Sequence, residues 1–311
     1  MADPLKLIFA GSGEFAVPTL RALLDSGRHR IVLVVSQPDR PAGRGRRLTP
    51  TPVSRLAIER NLPLLRTEDI NRESLPPADL LIVIAFGQKI APHLVEHPRL
   101  GAINLHGSLL PKFRGAAPVN AAILAGEKVT GNSVIRLVQR MDAGPILAQS
   151  QLPIGELETA GELHDRLAAD GAQLVLDTID KIAAGQIREI PQDESQASRA
   201  PKLSRASARI DWTHPAEQIA RQIRGMYPWP GCHVRLEDES PERREIARLT
   251  LVRARPVEGS GQPGVILPGG AVAAGSGAVE ILEVQPEGKR PMPLSAFRNG
   301  HPWHAGMRLE S

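Results

Sequence analysis

The sequence predicts an α/β chain in which a mostly parallel sheet, covered by helices on both faces, is followed by a small β-barrel. Three observations lead there. The first half of the chain alternates short β-branched runs with longer helical patterns, the arrangement that builds parallel sheets. Those runs are apolar throughout instead of alternating with polar residues, as strands covered on both faces require. The last part of the chain breaks into many short runs separated by Gly and Pro, which suits a barrel that keeps its edges paired.

Taken in order, strands are expected at 6–10, 31–36, 80–85, 102–105 and 133–137, and helices at 17–26, 52–60, 118–125 and 160–184. The last helix has chemically marked limits: Thr159 can accept from the first free N–H groups, and Gly185 can take the left-handed conformation that ends a helix. From 186 to 209 the sequence turns polar and aperiodic and reads as a linker. The expected division is a first domain at 1–188, a linker at 189–208 and a C-terminal domain at 209–311. That second domain opens with one helix over 211–225, capped near Thr213, and continues as short strands such as LTLVRARPV and AVEILEVQPEG.

With 311 residues the chain has room for two domains, each able to bury a core without disulfides. The single cysteine, Cys232, reads as a small core residue in a reducing compartment and rules out a Cys-based zinc cluster. No apolar run approaches the roughly 20 residues that cross a bilayer, so no membrane association is expected. The first residues lack the long apolar centre of a secretory signal, which points to the cytoplasm. A formal net charge of +4 weakly favours an anionic partner. The charge is concentrated: Arg40, Arg44, Arg46, Arg47 and Arg55 face a single acid, Asp39, within one short stretch. As a sequence feature, that stretch fits RNA contact or an ordinary solvated loop equally well.

Gly11-Ser-Gly13-Glu-Phe-Ala16 follows the first strand and satisfies a dinucleotide-binding pattern, with Asp39 near the position of a ribose-binding acid. Pro41 and Gly43 turn the chain into the basic loop instead of a second crossover helix. Tight strand-to-helix turns use glycine for steric reasons in any case. His93 and His97 share a helical face but have no third ligand nearby, and no metal site is expected. Trp229, between two prolines, reads as a packed anchor in preference to a stacking platform for a base.

The densest group of reactive side chains starts at the end of the fourth strand, in Asn104-Leu-His106-Gly-Ser-Leu-Leu-Pro-Lys-Phe-Arg-Gly. Asn104 and His106 are two apart on a strand and project to one face, at the carboxyl end where parallel sheets bind ligands. Asp142 follows the next strand and is expected at the same end. Each has an ordinary structural reading, as a loop cap, a strand-end histidine or a turn residue. Together, an amide, an imidazole and a carboxylate can steady an oxyanion and move a proton while two bound substrates react directly. No elbow-type nucleophile accompanies them.

At these residues the chain resembles the folate-dependent formyltransferases, whose signature is Asn-x-His, then Ser-Leu-Leu-Pro-x-x-Arg-Gly, then Asp-x-Gly. It is matched here by Asn104, His106, Ser108 to Pro111, Arg114-Gly115 and Asp142-Ala-Gly144. Further matching segments include SQPDRPAGRGRRLTPTPV, IAFGQKIAP, APKLSRASARIDW and IRGMYPWPG, so the resemblance covers nearly the whole chain; Gly13 and Phe86 depart from the usual Pro and Tyr. The resemblance implies a Rossmann-like formyltransferase fold joined to an OB-like barrel. It also implies a reaction: transfer of the formyl group of 10-formyltetrahydrofolate to the amino group of initiator methionyl-tRNA, by a monomer. Within it, Asn104, His106 and Asp142 would be catalytic. Ser108, Leu109, Leu110 and Pro111, with Phe86, Gly87 and Gln88, would hold the folate through main-chain groups, and Arg40, Arg44, Arg46 and Arg47 would contact tRNA.

Overall fold

The structure, a computed structural model, describes residues 3–42, 45 and 47–311. Its contacts divide the chain into two compact units, one of Met1–Pro118, Thr130–Leu152 and His164–Ala200, the other of Val119–Val129, Pro153–Leu163 and Pro201–Ser311. In chain order to Ala200 the elements are β1 (Lys6–Gly11), α1 (Val17–Ser26), β2 (Arg30–Ser36), β3 (Arg40–Ala42), β4 (Arg47–Thr49), α2 (Pro52–Glu59), β5 (Leu64–Arg66), β6 (Leu80–Ile84), α3 (Pro92–Glu96), β7 (Ala102–His106), β8 (Arg114–Gly115), α4 (Pro118–Leu124), β9 (Val129–Arg136), β10 (Ile146–Pro153), α5 (Ala160–Ala183) and β11 (Arg199–Ala200).

Seven strands form one sheet in the order β10-β9-β7-β6-β1-β2-β5. β1 runs parallel to β2 and β6, β2 to β5, and β6 to β7. All five residues of β6, Leu-Leu-Ile-Val-Ile, are buried, so this central strand has no polar face. At about 1.5–3 kcal/mol for each large aliphatic side chain removed from water, it is a main source of the unit's stability. One face packs Ile8, Val35, Leu81, Val83, Phe86, Ile90 and Leu94 into a single cluster.

The strand expected at 133–137 spans Val129–Arg136 and runs antiparallel to β7, with His106 opposite Ser133. A short strand-like run such as Ser-Val-Ile-Arg-Leu carries no information about direction, so this reversal was not legible. The two edge strands carry little sequence signal, β5 because it has three residues, and β10 because its apolar start runs into three consecutive polar residues, Gln149 to Gln151.

The second unit carries α6 (Ala216–Met226), β12 (Cys232–Glu237), β13 (Glu245–Val257), β14 (Val272–Ala273), β15 (Ala278–Pro286), β16 (Met292–Pro293), α7 (Leu294–Phe297) and β17 (Arg308–Glu310). Five strands follow the order β14-β15-β13-β12-β17, with β16 also paired to β15. The barrel is nearly closed by the segment between the edges: Val265 bridges to Arg308 and Ile266 to Val272. Ile223, Cys232, Leu251, Val279, Phe297 and Leu309 lie in its core. The helix expected at 211–225 begins later, at Ala216. Asp211 instead accepts from the Thr213 N–H and hydroxyl, a turn that competes with helix, and Pro215 then sets the start.

Candidate active site

Asn104 and His106 stand at the carboxyl end of β7, next to β6. The turn that follows is braced from β9 and β10. The Ser133 hydroxyl donates to the Ser108 carbonyl at 2.7 Å, the Leu110 N–H donates to Ser133 Oγ at 3.0 Å, and the Gln149 amide donates to the Leu110 carbonyl at 3.0 Å. Ser108 is fully buried and its hydroxyl donates to the Lys112 carbonyl at 2.7 Å. It is thus a structural hydroxyl.

His106 is 6% exposed. Its Nε2 lies 2.9 Å from the Phe113 carbonyl, which can only accept, so Nε2 carries a proton. Its Nδ1 faces Asp142 Oδ2 at 3.8 Å, beyond direct hydrogen-bond reach. The same Asp142 oxygen accepts from the Gly115 N–H at 2.9 Å. Asn104 is half-buried, and its side-chain amide makes no hydrogen bond with the described residues. The three side chains named from the sequence therefore include one approaching pair, His106 and Asp142, and one uncommitted donor on the same strand.

Asp142 reaches His106 by a loop, because the antiparallel β9 ends beside the start of β7, with Arg136 opposite Ile103. The loop is fixed at Gly144, where a Cβ would fall 1.8 Å from the Arg136 carbonyl oxygen. Phe113 and Asp142 both have left-handed backbones, with φ of 63° and 53°, at a cost of about 1–3 kcal/mol each.

The supports come from a stretch that the sequence reads as linker. Phe113 N–H donates to Ser198 Oγ at 2.9 Å, and Arg114 N–H to the Ser198 carbonyl at 2.9 Å. β11 pairs with β8 in parallel. The buried Arg114 guanidinium donates to Gln192 Oε1 and forms a double contact with Glu194 at 2.9 and 3.1 Å. That hydrogen bond from Arg114, aided by the charge of Arg114 and Arg140, holds the Glu194 carboxyl below its usual range. Ser133, Gln149, Gln192 and Ser198 were not singled out from sequence. For Gln192 and Ser198 the signal was the unusual polarity of the 186–209 stretch.

Phe86 is 2% exposed in the sheet core, so its ring is not offered to a ligand, and its carbonyl accepts from Gln37 Nε2 at 2.8 Å. The Gln88 side chain is also committed, accepting from Ile70 N–H and donating to the Thr67 carbonyl, both at 2.8 Å. Gly87, with φ of 78°, is exposed and its main-chain groups make no bond with the described residues. Main chain, not side chain, is what this corner presents.

Arg40 and Arg47 lie on the exposed hairpin of β3 and β4, and Arg40 donates to Gln37 Oε1 at 2.8 Å. Arg44 and Arg46 lie outside the described residues. On the second unit an open groove of about 680 Å³ is lined by Arg205, His233, Arg235, Arg248 and Thr250, with Glu287 and Glu310 as its acids. Trp229, expected to be packed, is 56% exposed, because the turn between α6 and β12 leaves its ring outside the core. Cys232 is buried, and burial pushes its thiol up to about 12.

At the dinucleotide-like turn, a Cβ on Gly11 would meet Phe9, Ala16 and Ile84 at 2.9–3.0 Å, a steric reason for that glycine. Asp39 pairs with Arg66 at 3.3 Å. His97 Nε2 bonds with the Pro76 carbonyl, and among the described residues no three His, Cys, Asp or Glu side chains cluster as metal ligands would. Among the described residues no helix is long and apolar enough to cross a membrane.

Residues 5–179 match the formyl transferase family and residues 202–302 the formyl transferase C-terminal domain. The chain is 42% identical over 309 residues to a methionyl-tRNA formyltransferase of Stutzerimonas stutzeri, covering 96% of each, and 42% identical over 313 residues to one of Cereibacter sphaeroides, covering 99% of this chain and all of that one. Among solved structures it shares its fold with an N-formyltransferase from Helicobacter canadensis in complex with folinic acid and dTDP-3-aminofucose, at a TM-score of 0.62 and 18% identity over 92% of this chain and 100% of that one. HypX from Aquifex aeolicus in complex with tetrahydrofolic acid gives 0.60 and 18%, over 94% of this chain and 47% of that one. With both domain matches and near full-length identity of this order, the chain belongs to the methionyl-tRNA formyltransferase family of folate-dependent formyltransferases.

Proposed function

We propose that the protein transfers the formyl group of 10-formyltetrahydrofolate to the α-amino group of methionine on initiator tRNA. The observation that carries this reading is the approach of His106 Nδ1 to Asp142 Oδ2, with the free Asn104 amide on the same strand. The near full-length identity to methionyl-tRNA formyltransferases supports this acceptor.

An α-amino group titrates near about pH 8, so a useful neutral fraction exists without a strong base. Its nitrogen attacks the formyl carbon, a C–N bond forms, and the carbonyl electrons move to the formyl oxygen. The Asn104 amide donates to that oxyanion. His106 joins when its Nε2–H exchanges the neutral Phe113 carbonyl for the charged oxygen, since charge-assisted hydrogen bonds are the stronger. One such donor is worth roughly 3 kcal/mol. Asp142 accepts the proton lost by the amine, collapse breaks the bond to the folate nitrogen, and Asp142 returns that proton to the departing nitrogen, which leaves its carboxylate ionised again.

Main-chain groups around Ser108, Leu109, Leu110 and Pro111, and at Phe86, Gly87 and Gln88, hold the folate. Arg40, Arg44, Arg46 and Arg47 meet the phosphates of the tRNA, and the basic groove of the barrel is a second surface for them. In this reading residues 1–188 carry the chemistry, 189–208 form the linking strap, and 209–311 form the tRNA-binding domain of a cytoplasmic monomer. The expected outcome is that His106→Ala or Asp142→Asn lowers turnover by about a hundredfold or more with tRNA affinity nearly intact. Near-normal turnover in both variants would eliminate the assignment.

A further inference from the structure

Asp142 and Phe113 are both left-handed, and one stretch of chain holds both. Ser198 takes the Phe113 and Arg114 N–H groups. Gln192 holds the Asp142 side: its Nε2 donates to the Asp142 carbonyl at 2.8 Å and to the Gly144 carbonyl at 2.7 Å. Its Oε1 accepts from Arg114 Nε at 3.0 Å and Nη2 at 2.7 Å.

This is a full complement for a primary amide, with both N–H donors and both lone pairs in use. Gln192 therefore has no capacity left for a ligand. It does sit between the two main-chain segments that fix the Asp142 carboxylate: the 142–144 loop that bears it, and the turn whose Gly115 N–H donates to it at 2.9 Å. No charged side chain could replace it, since a carboxylate would face two carbonyls without a proton to offer and an ammonium would face the Arg114 guanidinium.

We propose that Gln192 is a positioning residue for formyl transfer, setting the approach of Asp142 to His106 by clamping the Asp142 and Gly144 carbonyls to Arg114. This rests on the function proposed above. Acting through Asp142, it contributes to turnover only while Asp142 is there to be positioned.

The test is a double-mutant cycle on the full chain, measuring formylation of methionyl-tRNA by wild type, Gln192→Ala, Asp142→Asn and the double variant. Gln192→Ala is expected to lower kcat by roughly tenfold with both KM values within about twofold, but to change kcat by less than about twofold in the Asp142→Asn background. Equal losses in the two backgrounds would mean a general structural role, and no loss in either would mean no role; both overturn the proposal. Thermal melts accompany each variant. Should Gln192→Ala not fold, Gln192→Glu, which keeps the volume and the oxygen facing Arg114 but loses both donors, runs the same cycle. An inactive wild type would sink the underlying function, whereas an active wild type with an additive cycle sinks the positioning role alone.

Discussion

Gly144→Ala puts one methyl group where the structure has no room for it. The added Cβ would lie 1.8 Å from the Arg136 carbonyl oxygen and 2.9 Å from its carbon, both main-chain atoms of β9 that no rotamer change can move aside. The two backbones must separate by more than about 1 Å, which stretches the 3.0 Å bond from Arg136 N–H to the Pro145 carbonyl and carries Asp142, two residues away, with it. A 1 Å displacement of a positioned group costs on the order of a hundredfold in rate. The expected result is a fall in kcat of that order, a smaller rise in either KM, and a loss of about 1–3 kcal/mol in stability from overpacking. Steady-state formylation with separate folate and tRNA titrations measures the first two, and urea unfolding the third. A kcat within threefold of wild type would refute the claim that this contact holds the carboxylate in place.

Neutralising Arg44, Arg46 and Arg47 together should raise the KM for tRNA far more than that for folate and flatten its salt dependence, because each phosphate contact steepens the slope by roughly 0.7–0.9; an unchanged slope would argue that this arginine-rich segment does not touch RNA. Glu162 accepts from the Thr159 N–H and pairs with Arg253 at 2.7 Å. The Arg253 hydrogen bond, with help from Thr159, lowers its carboxyl to about 2 from 4.5. A depressed carboxylate stabilises above its unfolded pKa and loses that contribution as pH falls through the folded one. The pair is half-exposed and so screened, and Glu162→Gln should cost only about 1 kcal/mol near neutral pH, with the difference from wild type fading between pH 4.5 and 2 in urea melts. The Cys232 thiol, buried and raised to about 12, should resist a thiol reagent at pH 8 until the protein unfolds; labelling of the native state within minutes would contradict its burial.

Much of this was legible because packing on both faces writes itself plainly into strands such as Leu80–Ile84, and caps such as Thr159 mark helix limits. Asn104, His106 and Asp142 stood out by chemistry, but the path by which Asp142 arrives did not, since strand direction leaves no trace in a short strand-like run. Phe86 and Gln88 were named for a neighbourhood, and only the structure distinguishes their committed side chains from the open main chain of Gly87. The stretch from Gln192 to Ala200 was the hardest to read. Polar residues there satisfy main-chain groups of another segment, and sequence alone cannot tell such residues from those that face water.

The strap has a practical corollary for anyone dissecting the chain. A fragment trimmed at residue 188 retains Asn104, His106 and Asp142 yet discards Gln192, Glu194 and Ser198, leaving the carbonyl of Asp142 and the N–H of Phe113 without their protein partners. Ending the fragment after Ala200 keeps those partners and the short pairing of Arg199–Ala200 with Arg114–Gly115.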